Sequence, residues 1–147
     1  MLIVLQSFPE VLTELRRRAD QRLTPAQLEN ILFTSNHREA LDYVLAEKRK
    51  PDRTVVISST VFYAQSDDTA TNDLNAAILS ASMKDIDPEM WFFTYSTAPQ
   101  TSEHIDGAIP KSPSNMYGHA LEFLTLDLAD AKSLDELHEQ IPWIAPS

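Results

Sequence analysis

The chain of 147 residues contains no cysteine and only two glycines, Gly107 and Gly118. The absence of cysteine excludes disulfides, thiol catalysis and thiolate metal sites. The shortage of glycine leaves no Gly-rich phosphate loop and no dinucleotide-binding fingerprint, and no serine lies in a G-x-S-x-G motif. No two of the four histidines have the spacing of zinc ligands on one helix. We therefore predict no enzymatic activity, no cofactor and no metal site.

Long apolar runs and positive charge are also scarce. No apolar stretch approaches the length of a membrane span, and the short apolar N-terminus lacks the features of a signal peptide. We expect a cytoplasmic protein with no membrane partner. A formal net charge of −10 repels phosphate backbones, so direct binding of nucleic acid is not expected either. The basic clusters at residues 16–18 and 48–50 are interpreted as solvated helix faces, with a docking patch for an acidic partner as the alternative.

The sequence does contain an alternation of short apolar runs and amphipathic stretches. The apolar runs lie at residues 2–5, 31–33, 55–57, 91–93 and 108–109. Continuous apolar runs are typical of strands buried on both faces, as in a parallel sheet. Helical patterns between them predict an α/β fold with right-handed crossovers.

The helical patterns carry recognisable boundaries. The first pattern breaks or restarts at Thr24 and Pro25, and Asn36 opens the second. The third is predicted to begin at a cap on Thr71 or Asn72 and to bury one apolar face, which comprises Leu74, Ala77, Ile78 and Ala81. A fourth pattern covers residues 116–124.

A short extra helix is predicted after the core. It covers about residues 133–141 and opens with a capping box of Ser133 and Glu136. We therefore divide the chain into one domain over residues 1–128 and a C-terminal extension over residues 129–147. Trp143 in the tail is expected to fold back onto the body, with a partner-binding tail as the alternative.

Local sequences around these runs carry a family resemblance. They lie at residues 1–8, 36–42, 51–59, 90–94 and 107–111. In their order and approximate spacing they resemble the CheY-like receiver domains of bacterial response regulators, over about residues 1–128. The resemblance implies a flavodoxin-like three-layer fold with a five-stranded parallel sheet in the order 2-1-3-4-5.

The resemblance also implies a site. In receivers, two acidic residues after the first strand hold Mg²⁺, and an aspartate ending the third strand accepts the phosphoryl group. Carried over, the acidic pair falls on Gln6 and Ser7, and the phosphoacceptor falls on Ser59. None of these is a carboxylate, whereas Thr94 and Lys111 match the hydroxyl and the lysine that read the phosphate. The resemblance therefore implies a degenerate site without Mg²⁺ binding or aspartyl phosphorylation.

Two further features qualify this degenerate site. Lys111 is expected to hydrogen-bond Ser59, Gln6 or backbone carbonyls and hold the site shut, with binding of an anion or small ligand as the alternative. Asp67 and Asp68, in the long third loop, are interpreted as solvated loop or helix-start residues rather than acidic substitutes.

The connection between the fourth and fifth strands departs from the receiver pattern. Residues 97–105 include Pro99 and leave too little room for a full fourth helix, so we predict an irregular loop or a single turn. Since this helix belongs to the usual partner surface of receivers, its loss implies a remodelled interface. Tyr95 and His104, beside the loop, are the candidate partner contacts. For Tyr95, which clusters with Trp91, Phe92 and Phe93, packing in the core is the other interpretation.

Two functions of different classes follow. The first is a phosphorylation-independent pseudo-receiver, a signalling module that regulates or docks a kinase, a transcription factor or another output domain, with a homodimer also considered. The second is a small flavodoxin-like domain that binds a small ligand or anion where the strands end. That edge comprises Gln6, Ser7, Ser58, Ser59, Thr94 and Lys111.

Overall fold

Five short strands form a single parallel sheet in the order β2-β1-β3-β4-β5. The structure is a computed structural model that describes residues 2–47, 53–60, 75–96, 102–126 and 133–141. The strands are β1 (Leu2–Leu5), β2 (Ile31–Thr34), β3 (Val55–Ser58), β4 (Trp91–Ser96) and β5 (Gly107–Pro110). Each contains one of the five apolar runs, so the predicted sheet and its strand order are confirmed.

The described residues form six helices around this sheet. They are α1 (Pro9–Arg22), α2 (Pro25–Glu29), α3 (His37–Glu47), α4 (Ala76–Ile86), α5 (Gly118–Leu124) and α6 (Leu134–Gln140). The predicted break at Thr24 is confirmed, because Thr24 and Gln27 form a reciprocal capping box that starts α2. The Ser133 side chain likewise accepts a hydrogen bond from the backbone N–H of Glu136 at the start of α6.

Helices cover both faces of the sheet, which gives three layers. Along β4, Phe93 belongs to a core shared with α1, α5 and α6, whereas Phe92 belongs to a core shared with α3 and α4. Successive strand residues point to opposite faces, so β1, β2, β3 and β4 each supply both cores. This explains why the runs are continuously apolar rather than alternating. The predicted three-layer α/β fold of flavodoxin-like topology is confirmed.

The third predicted helix exists, but its buried face was predicted wrongly. Its N-cap is Asn75, whose side chain accepts a hydrogen bond from Ile78 N. Ile78 is 48% exposed, whereas Leu79 and Met83 are buried. Residues 76–79 are all apolar, so the pattern could not fix which face of the helix meets the sheet. The residues Thr71, Asn72 and Leu74, which the prediction used, lie outside the described residues.

The connection between β4 and β5 forms a turn over its described part, residues 102–106, and contains no helix there. Ile105 N donates to Ser102 O at 3.1 Å. Asp106 anchors the end of the turn, because its Oδ2 accepts from Lys84 Nζ at 2.7 Å and from Phe92 N at 2.9 Å. The shortened fourth helix of the prediction agrees with this turn, although residues 97–101 lie outside the described range.

The predicted C-terminal extension packs onto the main body. Leu137 of α6 and Ile141 after it are buried in the core shared with α1 and α5. Several residues singled out in the sequence lie outside the described residues, namely Asp67, Asp68, Trp143 and the cluster at 48–50. In the ranges that are described, no helix combines the length and apolar character needed to cross a membrane.

Candidate functional site

The carboxyl ends of β2, β1, β3 and β4 meet at one edge, where the side chains of the described residues are polar but uncharged. Leu5 and Thr94 both pair with Ser58, so the strands end almost level. The chain order reverses between β1 and β3, which is the switch point where α/β sheets of this topology bind ligands. The polar side chains at this edge are Thr34, Gln6, Ser7, Ser58, Ser59, Thr60, Thr94 and Ser96.

Gln6, Ser7 and Ser59 form a neutral hydrogen-bonded cluster at the switch point. Ser7 N donates to Ser59 Oγ at 3.0 Å, and Ser59 Oγ donates to Gln6 Oε1 at 3.2 Å. Gln6 is fully buried and Ser59 is nearly so. The structure therefore brings together the three residues that the resemblance placed at the carboxylate positions, and it joins the ends of β1 and β3 without charge.

Thr94 lies at the same edge but on the other face of the sheet from Phe93. Its register partner, Ser58, donates its own hydroxyl to Ser59 O at 2.8 Å. The Thr94 Oγ1 atom is buried and has no hydrogen-bond partner among the described residues. Thr94 thus lies at the same edge as Gln6 and Ser59 but forms no hydrogen bond with either of them.

Lys111 follows β5 and does not close the site. Its Nζ lies 5.1 Å from the centroid of the Tyr95 ring, which is the geometry of a cation–π contact. Within the described residues it makes no hydrogen bond to Ser59 or Gln6 and no ion pair with a carboxylate. Burial lowers the pKa of the Lys111 ammonium.

Tyr95, predicted as a surface contact, is a core residue. It lies within β4 at 1% exposure, and its hydroxyl donates to the carbonyl of Met116. Burial is the main cause that raises the pKa of Tyr95 far above its ordinary value. The prediction was wrong because β4 continues to Ser96, so Tyr95 points into the core rather than following the strand end.

His104, the other predicted contact, is partly exposed in the turn before β5. Its Nε2 lies 3.3 Å from Glu103 Oε1. Its role as a partner contact stays a prediction.

The sequence interpretation missed the pair Thr60 and Ser96, although Thr60 directly follows the predicted third strand and Ser96 lies two residues beyond the predicted fourth strand. Thr60 Oγ1 donates to Ser96 Oγ at 3.2 Å and so joins the ends of β3 and β4. It also missed the unpaired state of Gln6, whose buried Nε2 has no hydrogen-bond partner in the described part of the chain. Across those same residues, no group of three or more His, Asp or Glu side chains is arranged to hold a metal ion.

Comparison with known proteins adds no family assignment. No protein-family model matches the chain, no curated protein matches it, and no solved structure matches it. The fold and the site therefore define a class only: a three-layer α/β domain whose described side chains at the switch point are polar and uncharged.

Proposed function

We propose that this protein is a phosphorylation-independent signalling module, a pseudo-receiver that acts by binding other proteins. The observation that carries the proposal is the Ser59–Gln6 hydrogen bond of 3.2 Å at the ends of β3 and β1. In a receiver these positions hold the phosphoacceptor and a Mg²⁺ ligand. Here an uncharged pair occupies them.

The chemistry of this pair argues against phosphoryl transfer. Mg²⁺ is held mainly by carboxylate oxygens, and Gln6, Ser7 and Ser59 supply none. A serine hydroxyl becomes a strong nucleophile only beside a base that takes its proton. The hydroxyl of Ser59 instead donates to an amide oxygen, which is too weak a base for that role.

The proposed output is constitutive protein binding. Without a phosphate to read, and with a turn rather than a helix over the described part of the connection between β4 and β5, residues 102–106, occupancy of the binding surface would follow the concentration of the partner. A kinase, a transcription factor or an output domain remains the proposed class of partner, with a second copy of the chain as the other option. His104 is the contact residue to replace first, since Tyr95 is buried.

Incubation with acetyl phosphate and Mg²⁺ tests the proposal. The wild-type chain should gain no acid-labile phosphoryl group. A variant carrying Gln6→Asp, Ser7→Asp and Ser59→Asp should bind Mg²⁺ and become phosphorylated, because it restores carboxylates at the ends of β1 and β3. Circular dichroism checks that this variant is folded.

Two results would count against the proposal. Stable phosphorylation of the wild-type chain would show that the site is active. A folded triple variant that neither binds Mg²⁺ nor accepts phosphate would show that the alignment with receivers is wrong.

A second candidate function is binding of a small ligand or anion at the same edge. Gln6 Nε2 and Thr94 Oγ1 favour it, because both are buried polar atoms without a hydrogen-bond partner among the described residues. A thermal-shift screen with nucleotides, flavins and simple anions tests it. A ligand that stabilises the wild-type chain but not Thr94→Val would support this function over the first.

A further inference from the structure

The outer edge of the sheet at β2 presents backbone groups that β1 does not use. β2 pairs with β1 on one side, and within the described residues no strand lies on its other side. Leu2 is in register with Ile31, and its N–H donates to the carbonyl of Asn30 at 2.9 Å. Since backbone groups alternate between the two sides of a strand, the N–H and C=O groups of Ile31 and Phe33 point away from β1.

The side chains of β2 are also less buried than those of the inner strands. Ile31, Leu32 and Phe33 are each partly exposed, whereas every residue of β1 and β3 is buried. Residues 30–36 contain no charged side chain, no proline and no glycine. An edge strand of this kind lacks the usual features that prevent pairing with another strand.

The opposite edge of the described sheet, at β5, does have such features. β5 begins at Gly107 and ends at Pro110, and Lys111 follows it. Glycine weakens a strand, proline cannot donate a hydrogen bond to a neighbouring strand, and an edge lysine opposes pairing by its charge. Of the two edges, β2 is therefore the one suited to further pairing.

We propose that β2 is the contact surface of a weak homodimer, in which the β2 strands of two copies pair antiparallel about a two-fold axis at Leu32. Ile31 of one copy then faces Phe33 of the other, and these two residues exchange both backbone hydrogen bonds. The two-fold axis repeats this exchange, so both copies use the same surface and four hydrogen bonds form. Leu32 faces Leu32 of the second copy as the non-hydrogen-bonded pair between them.

The charge distribution favours a second copy at this edge. Each copy has a formal net charge of −10, but the paired segment, residues 30–36, is uncharged and places no like charges opposite one another. The guanidinium of Arg16 lies 5.5 Å from the ring centroid of Phe33, and Glu29 ends α2 two residues before Ile31. Since Phe33 faces Ile31 of the second copy, the two-fold axis brings Arg16 of each copy toward Glu29 of the other. A strand of four residues makes a small interface, so the dimer is expected to be weak.

This inference goes beyond the proposed function and does not rest on it. The contact residue proposed there, His104, lies in the turn before β5, at the other edge of the sheet. A dimer through β2 does not use that edge, so a copy within the dimer can still bind a partner protein.

Analytical ultracentrifugation and amide hydrogen exchange test the dimer on the wild-type chain. Between about 10 μM and 1 mM protein, in about 0.15 M salt to screen the repulsion between copies, the mass should rise from 16.6 kDa toward twice that value. Exchange followed by NMR should show that the amides of Ile31 and Phe33 become protected as the protein concentration rises. The amide of Leu32 faces β1 and should be protected at every concentration, which makes it the internal control.

A matched pair of variants locates the contact. Leu32→Lys places two like charges opposite each other at the two-fold axis and should abolish the dimer, although it makes the net charge of the chain less negative. Ile78→Lys makes the same kind of change at an apolar side chain that is 48% exposed on α4, and it should leave the dimer intact. Circular dichroism checks that both variants are folded.

A wild-type chain that stays monomeric up to about 1 mM overturns the inference. So does association that leaves the amides of Ile31 and Phe33 unprotected, or that is lost in Ile78→Lys but kept in Leu32→Lys. Assemblies larger than a dimer also overturn it, because a two-fold contact closes with two copies. If Leu32→Lys does not fold, the concentration-dependent protection of Ile31 and Phe33 in the wild-type chain still decides. None of these results depends on the phosphorylation test, so failure of the dimer and failure of the pseudo-receiver function are distinguishable.

Discussion

Thr94 and Thr34 form a matched pair for testing whether the buried hydroxyl of Thr94 lacks a hydrogen-bond partner in solution. Both are buried threonines near the carboxyl ends of strands. Thr34 Oγ1 accepts a hydrogen bond from Asn36 N at 3.0 Å, whereas Thr94 Oγ1 has no hydrogen-bond partner among the described residues. The perturbation is the same in both cases, the replacement Thr→Val, which exchanges the hydroxyl for a methyl group of similar size.

The expected effects have opposite signs. A buried hydroxyl without a partner costs about 1–3 kcal/mol in proteins, so Thr94→Val should raise the free energy of unfolding by about that amount. Thr34→Val leaves Asn36 N without its acceptor and should lower the free energy of unfolding by about 1 kcal/mol. For a domain of this size, each kcal/mol moves Tm by roughly 2–5 °C.

Urea unfolding followed by circular dichroism measures both variants against the wild-type chain, and equal m-values confirm that only stability changed. The reasoning is refuted if Thr94→Val destabilises the chain as much as Thr34→Val does. That result would mean that Thr94 Oγ1 has a partner in solution, a bound water or a ligand, and would strengthen the second candidate function.

Two further predictions concern the fold around β5 and α5. Gly118→Ala should not raise the free energy of unfolding by the roughly 1 kcal/mol expected for alanine in a helix. The reason is that a Cβ there would lie 2.3 Å from Asn115 Oδ1, which accepts a hydrogen bond from Gly118 N. Urea unfolding should show the increase only when Asn115 is also replaced by alanine. In a spectrophotometric alkaline titration, one of the four tyrosines, Tyr95, should resist ionisation until the chain unfolds. Since its folded pKa is raised, the stability it contributes is present below pH 10.0 and is lost as the pH rises further; a titration in which all four ionise together in the folded chain contradicts this.

The strands and their order were predictable because each strand has its own apolar sequence signal and several such signals indicate the same fold. The strands β1, β3 and β4 are buried on both faces, so each appears as an unbroken apolar run, as at Val55, Val56 and Ile57. Once strands and helices alternate, the right-handed crossover rule leaves few topologies. Helix starts were predictable where a cap is present, as at Thr24 and Ser133.

Other features depended on information that a single sequence does not contain. The face of α4 was ambiguous because residues 76–79 are all apolar, and only packing decides that Leu79 rather than Ile78 is buried. Whether Tyr95 is buried depended on where β4 ends. A shift of a few residues in a strand end decides whether a side chain lies in the core or at the surface. The candidate site was predicted only in part for the same reason, because a single sequence does not fix the strand register.

Strand alternation accounts for which site residues meet. Gln6 and Ser59 each lie one residue beyond a register pair, Leu5 and Ser58, so their side chains emerge on the same face and form a hydrogen bond. Thr94 pairs with Ser58 and therefore shares the face of Ser58, not that of Ser59. Sequence position alone placed all of these residues at one edge of the sheet. A difference of one residue in the strand register decides whether their side chains lie on the same face or on opposite faces. Thr94 Oγ1 therefore cannot rely on the Gln6–Ser59 pair for a hydrogen bond. The comparison of Thr94→Val with Thr34→Val tests, through the free energy of unfolding, whether a water or a ligand supplies one.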